Sequence, residues 1–311
     1  MRRGTPQTGR RDRSARLSGI RASVEHLLFK ATSLVPGLSR SLSGTDASLG
    51  AIVKGRLALR RNRRHRRVIT PSAQIHNVST FERTGLLDLG QPFESGLVDR
   101  IHDTFDKYIV DDARCFLRYT SSPDIHEERT RAAVSLAPVI HRRLLEPHAL
   151  IPEIEGVLTE SLMQLIEGVY GCHARLTSVN CWRNYHLPLD EAERREFGYS
   201  HYWHNDRVPI DTLKLFVALS DIDEQDGPLY LIPKDVSRRI VNRSFHRKES
   251  RHAPRLNAAA VRMTGPRGTA VLCDSTRCLH RAGIPAAGRQ RDMLQLVFRS
   301  SASRDIRLTS L

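Results

Sequence analysis

Long apolar runs are missing from this chain. No stretch approaches the roughly 18 consecutive apolar residues of a membrane-spanning helix, so a transmembrane protein is not expected. Cysteine is scarce as well. The five present are Cys115, Cys172, Cys181, Cys273 and Cys278, an odd number with no CxxC spacing. That argues against a disulfide framework and a thiolate zinc site, and for a reduced, intracellular setting. A secretory leader is not expected, because Arg21, Glu25 and His26 break the first apolar stretch. Acidic residues are nearly absent from one segment only. Residues 1–67 hold 17 Lys and Arg against Asp12, Glu25 and Asp46, which accounts for +14 of the net +15. The remainder is close to neutral. Aromatic side chains for base stacking are almost absent from the basic segment, so specific nucleic-acid binding is not expected.

What is present suits a packed body behind a basic extension. Hydrophobic residues make up 40% and charged residues 27% of 311 positions, enough for one large domain or two modest ones. In the extension, Leu17, Ile20, Val24, Leu27, Leu28, Ala31 and Leu34 form a helical stripe that Pro36 and Gly37 end. A second stripe, Leu49, Ile52, Val53 and Leu57, leads into the arginine-rich run 60–67. Three readings fit residues 1–67: a solvated basic tail, a membrane-surface anchor contacting anionic lipid, and an organelle-targeting peptide. The expected location is cytoplasmic, with peripheral membrane contact or organelle targeting as the alternatives.

The body is expected over 68–311. Phe93, Leu97, Ile101, Phe105 and Ile109 predict a helix within Gln91–Ile109, and Pro152 opens another that ends at Gly168 or Gly171. Short runs rich in Val, Leu, Phe and Thr then follow: Leu176–Trp182, Leu213–Leu219, Pro228–Ile232, Ala270–Cys273 and Met293–Phe298. A helical layer mainly over 91–170 and a β core mainly over 174–300 make a mainly β jelly-roll with flanking helices the expected fold.

Residues 203–206 read Trp-His-Asn-Asp. On an extended segment His204 and Asp206 share a face, because side chains alternate with a period of two. A second imidazole would complete a 2-His-1-carboxylate triad, the donor set that leaves Fe(II) open positions for a co-substrate and O₂. The motif alone is common by chance. Its context is the segment 268–283, in which a glycine turn, an apolar strand and a polar bend lead to His280. His201 is the rival ligand, but on a strand it points away from His204. If Pro285-Ala286 is a hairpin tip, Arg291 lies opposite His280 and can grip a dicarboxylate through both guanidinium edges. Arg289 has the same strand parity and is the substitute.

These elements resemble the phytanoyl-CoA dioxygenase-like (PhyH) family of 2-oxoglutarate oxygenases over roughly residues 78–300. The resemblance is carried by Phe81-Glu82-Arg83-Thr84-Gly85, the 203–206 motif, Leu213–Asp223, Asp226-Gly227-Pro228, segment 268–283, and the Arg eleven residues after His280. It implies a double-stranded β-helix, cupin-like core, with His204, Asp206 and His280 as iron ligands and Arg291 as the 2-oxoglutarate anchor. It also implies further co-substrate contacts from the upstream strand that carries Asn180, Trp182 and Arg183. The expected reaction is hydroxylation of an unactivated C–H bond of a small-molecule or lipid-like substrate, with O₂ consumed and succinate and CO₂ released. Asp206 fills the position that related halogenases leave without a carboxylate. One departure stands out: Ile232-Pro233-Lys234-Asp235 replaces the family's Pro-Gly-Ser-His-type turn. The alternatives are a cupin-like metalloenzyme that does not use 2-oxoglutarate, and a non-catalytic, membrane-associated binding protein on the same fold.

Overall fold

The computed structural model describes residues 49–65, 67–94, 96–119, 139–188, 201–206, 208–241 and 249–308. The stripe Leu17–Leu34 lies outside them. Seven helices are described: α1 (Leu49–His65), α2 (Ile75–Thr84), α3 (Leu97–Ile109), α4 (Pro147–Leu150), α5 (Glu160–Tyr170), α6 (Lys234–Val241) and α7 (Glu249–Ala259). The strands are β1 (Leu86–Gly90), β2 (Cys115–Tyr119), β3 (Val139–Leu144), β4 (His173–Tyr185), β5 (Thr212–Ala218), β6 (Leu229–Leu231), β7 (Val261–Met263), β8 (Ala270–Cys273), β9 (His280–Ala282) and β10 (Gln290–Ser301). They form a seven-stranded sheet, β1-β8-β5-β10-β4-β3-β2, and a three-stranded sheet, β7-β6-β9. All named pairs are antiparallel.

Strand alternation divides the large sheet into two faces with different tasks. From β5, β4 and β10, Leu213, Leu215, Val217, Val179, Cys181, Leu294, Leu296 and Phe298 enter the main core. The helical layer covers that side: Leu97, Ile101, Phe105 and Ile109 of α3 recur every four residues and are buried there, as are Leu162, Leu165 and Ile166 of α5. The other face of the same strands turns to the small sheet. Phe216, Ala218 and Met293 meet Leu229, Leu231 and Met263 in a second, smaller apolar cluster. The result is a jelly-roll with flanking helices, as the sequence predicts.

The helix expected from Pro152 divides in two, a 3-10 segment Pro152–Val157 and then α5. Thr159 causes the restart, since its side chain accepts a hydrogen bond from Leu162 N and caps α5. α3 begins later than Gln91, at Leu97. α1, which carries much of the arginine run, packs on the body. Ile52 meets Ile210, Asn62 Nδ2 donates to Ser300 Oγ at 3.1 Å and Arg63 Nε donates to the Tyr170 carbonyl at 2.6 Å. Its basic side chains Arg56, Arg60, Arg61 and Arg64 are exposed. Among the described residues no helix is long and apolar enough to cross a membrane.

One expectation is overturned. Pro285-Ala286 is not a hairpin tip, because β9 pairs with β6 in the small sheet while β10 pairs with β4 and β5 in the large one. The connection crosses between sheets, tied down by Gly283 N to Pro228 O at 2.9 Å and Ala286 N to Gln225 O at 2.7 Å. A three-residue strand offers few ladder bonds, and β9 spends its partners on β6. His280 and Arg291 therefore approach one space from opposite sheets.

Candidate metal centre

His204 and His280 form an isolated antiparallel bridge. Each backbone N–H donates to the other residue's carbonyl, at 3.0 and 2.9 Å, so the two side chains emerge from a directly opposed pair. Their ring centroids lie 4.3 Å apart with planes inclined by 50°. Asp206 N donates to the Ser275 carbonyl at 3.0 Å, which holds the 204–206 segment along the loop that leads to His280. The approach to His280 is itself anchored by Ser237, fully buried at the start of α6. Its hydroxyl donates to Ile232 O at 3.0 Å and accepts from Leu279 N at 2.9 Å. The Ile232-Pro233-Lys234-Asp235 departure thus opens a helix whose first turn supports the second histidine.

One ligand atom from each of His204, Asp206 and His280 lies within 4.8 Å of the others. Both imidazoles are oriented alike: His204 Nδ1 meets Tyr202 O at 2.7 Å and His280 Nδ1 meets Cys278 O at 3.1 Å. A carbonyl only accepts, so each Nδ1 carries a proton, which leaves Nε2 as the ligand atom of each ring. Burial pushes the His280 pKa down to about 4, so the ring is neutral at physiological pH. Burial raises the Asp206 carboxyl, but His280 and Lys214 outweigh it and hold the group well below the usual carboxylate range. Lys214 Nζ lies 2.5 Å from Asp206 Oδ2. A neutral His280 imidazole and an ionised Asp206 carboxylate are the protonation states in which those two groups bind a divalent cation.

A cavity of about 350 Å³ opens beside this triad, lined from both sheets. Arg291 projects into it from β10, 2% exposed, with NH2 donating to Asn184 Oδ1 at 2.9 Å and NH1 to Gly283 O at 3.4 Å. Asn180 and Trp182 line the same cavity from β4. Asn180 Nδ2 donates to Gln295 Oε1 at 3.2 Å, and Trp182 Nε1 donates to Asn184 Oδ1 at 2.8 Å. Arg183 is on the opposite face, clamped to Asp292 by two bonds of 2.7 Å. Arg289 is outside the cavity, bound to Asp223 and Asp226 at 2.5 and 2.9 Å. His201 packs on Tyr202, 4.0 Å between ring centroids, and is not one of the grouped ligands.

Sequence reasoning missed Asn184, Lys214, His141 and Arg143, all of which line the cavity. Asn184 is the Cα partner of Arg291 and receives both the arginine and the tryptophan. Its Nδ2 lies 3.0 Å from His141 Nδ1. Strand parity would have found it, since 180, 182 and 184 share a face. Lys214 had a comparable signal: it is a charge inside the apolar run Leu213–Leu219.

No known family model matches the chain, and no curated protein matches it. Solved structures do. The non-haem α-ketoglutarate-dependent epimerase SnoN from nogalamycin biosynthesis aligns at a TM-score of 0.53 and 14% identity, over 74% of this chain and 84% of its own. The non-haem α-ketoglutarate-dependent carbocyclase SnoK, also from nogalamycin biosynthesis, gives 0.51 at 12% identity over 76% and 87%. EctD from S. alaskensis, solved with bound Fe, gives 0.50 at 18% identity over 73% and 76%. At these identities the likeness is one of fold, the double-stranded β-helix that those enzymes share.

Proposed function

We propose that this protein is a non-haem Fe(II)- and 2-oxoglutarate-dependent dioxygenase that hydroxylates a C–H bond of a small molecule, and that it is related to the phytanoyl-CoA dioxygenase-like enzymes. The observation that carries the reading is the convergence of three suitable ligand atoms within 4.8 Å, beside a cavity that also holds a buried arginine. His204 and His280 would hold the metal through Nε2 and Asp206 through its carboxylate. With 2-oxoglutarate and O₂, iron held there supplies the oxidising power to break an unactivated C–H bond, with succinate and CO₂ as co-products.

The rest of the work falls to this chain's side chains. Arg291 is preorganised by Asn184 to take the distal carboxylate of the co-substrate through two parallel N–H bonds. Asn180 and Trp182 stand beside it as further co-substrate contacts. Lys214 holds Asp206 Oδ2, which leaves Oδ1, 3.7 Å from His280 Nε2, directed at the metal position. Phe216, Leu229 and Met293 keep water from the reacting centre. A crystal structure of SnoN in complex with Fe³⁺, α-ketoglutarate and nogalamycin RO shows that the same fold accommodates metal, co-substrate and a small molecule together. An intact Asp206 favours hydroxylation over halogenation.

The test is anaerobic titration of the purified protein with Fe(II) and 2-oxoglutarate, followed by the weak visible charge-transfer absorption of that chelate. Wild type should develop the band, and Asp206→Ala and Arg291→Ala should each lose it. Iron binding without the band would favour a cupin-like metalloenzyme that does not use 2-oxoglutarate. Absence of metal binding would favour a non-catalytic binding protein.

A further inference from the structure

Lys214 is an unusual charge for its place. It lies on β5 between Cys273 of β8 and Val297 of β10, its Cα partners within the large sheet. Leu213, Leu215 and Val217 of the same strand enter the main core, so alternation sends the lysine the other way, into the cavity beside Phe216. Ladders on both edges hold β5, so the side chain starts from a fixed base. Its ammonium lies 2.5 Å from Asp206 Oδ2, and the two side chains are 16% and 18% exposed. Salt screens a partly buried pair of this kind far less than a surface pair.

The other carboxylate oxygen, Asp206 Oδ1, lies 3.7 Å from His280 Nε2. One carboxylate therefore has a cation of the protein's own on one oxygen and the candidate metal position on the other. A divalent ion held by His204, His280 and Asp206 shares Asp206 with the ammonium, and the two like charges repel across it. An anion brought to the metal reverses the sign. Arg291, held by Asn184, is suited to the distal carboxylate of 2-oxoglutarate. The remaining carboxylate then belongs to the metal end of the cavity, the end that Lys214 lines.

We infer that Lys214 couples the two ligands: its charge weakens the binding of a divalent metal by itself and favours binding of the metal together with 2-oxoglutarate. This rests on the oxygenase reading and adds to it a regulation of the same site, which holds metal and co-substrate as a pair. Lys214 acts through Asp206 and through its charge, so it is a positioning residue. Coupling of this kind is reciprocal, so the metal tightens 2-oxoglutarate binding by the same factor.

The experiment uses the full chain and Mn(II), whose free ion is counted by its electron paramagnetic resonance signal, with and without saturating 2-oxoglutarate. In wild type, 2-oxoglutarate should tighten Mn(II) binding. In Lys214→Met, Mn(II) alone should bind about tenfold or more tighter than in wild type, a modest share of the repulsion between neighbouring like charges. The further gain from 2-oxoglutarate should shrink by at least that factor. Lys214→Gln is a second neutral variant with the same two signs expected, should the methionine variant not fold. Lys214→Arg keeps the charge and should keep the wild-type pattern. Weaker or unchanged binding of Mn(II) alone by the neutral variants overturns the inference, because a lysine that merely props Asp206 would give that result. An undiminished gain from 2-oxoglutarate in those variants overturns it as well. A wild type that gains nothing from 2-oxoglutarate and lacks the Fe(II)–2-oxoglutarate absorption refutes the oxygenase reading, and the inference with it.

Discussion

Replacing Asp292 with Ala would remove one half of the ion pair that locks β10 to β4 behind the cavity. Asp292 and Arg183 are direct Cα partners, one position along from the Arg291–Asn184 pair. Both carboxylate oxygens accept from the guanidinium at 2.7 Å, and the side chains are 1% and 7% exposed. Breaking a buried pair from one side strands the other charge, at a cost of about 3–5 kcal/mol. Arg183 keeps a second partner, Asp106 at 2.7 Å, but that carboxylate is 55% exposed, so the lower end, about 3 kcal/mol, is expected. In urea this lowers the unfolding midpoint by about 1 M or more. The double variant Arg183→Met with Asp292→Leu should recover most of the loss, because neither buried charge is left uncompensated. The pH dependence gives an independent check. Burial raises the Asp292 carboxyl, but the hydrogen bonds and charge of Arg183, with His102 3.7 Å away, bring it below its ordinary value. A depressed carboxyl contributes stability above its unfolded pKa of about 3.9 and loses it as pH falls through the folded value. The gap between wild type and Asp292→Asn should therefore close below about pH 4. A loss under about 1 kcal/mol for Asp292→Ala at neutral pH, or a gap unchanged in acid, refutes the argument.

Two further substitutions probe the cavity's frame. Asn184→Ala removes the acceptor shared by Arg291 NH2 at 2.9 Å and Trp182 Nε1 at 2.8 Å. Loss of a bond to a charged donor is worth about 1.5–3 kcal/mol, so the dissociation constant for 2-oxoglutarate should rise about tenfold or more in calorimetry, with Fe(II) affinity unchanged. Unchanged 2-oxoglutarate affinity would deny Asn184 its orienting role. Gly283→Ala would place a Cβ 2.5 Å from the Gly227 carbonyl carbon and 2.6 Å from Pro228 O, where two backbone segments cross. Overpacking of that kind costs about 1–3 kcal/mol. The thermal midpoint should fall by about 5 °C, and an unaltered midpoint would show that the crossing is looser than these distances.

How much of this was legible in the sequence follows from which features are local. The strand Ala270–Cys273 is found where its apolar run predicts it, bounded by Thr269 and Asp274. β4 and β10 run beyond their apolar centres, because backbone pairing continues between them through polar ends such as Arg299 opposite Arg175. Partner choice is not local, and the hairpin expected at Pro285-Ala286 failed for that reason: nothing near β9 announces that its partner is β6, some fifty residues upstream. The same holds for α1. Its arginines mark which side faces water, but its docking depends on Ile210 and Ser300, far along the chain.

The placement of Arg291 survives the wrong partner because parity does not depend on it. Along β10 the fully buried Leu294, Leu296 and Phe298 define the face that meets the helical layer. Residues 291, 293 and 295 must then take the other face, whichever strand lies alongside. That face is the cavity, and Arg291, Met293 and Gln295 all line it. Arg289 has the same parity but precedes the first strand residue, Gln290, so no ladder holds it to that face and it turns to Asp223 and Asp226 instead. On β4, Val179 and Cys181 mark the core face, which sends Asn180, Trp182 and Asn184 into the cavity and Arg183 to Asp292. A charged or amide side chain at cavity parity, on a strand whose other face supplies consecutive core residues, is therefore the more informative signal. By that rule Lys214, opposite in parity to Leu213, Leu215 and Val217, belongs to the site as much as Arg291 does.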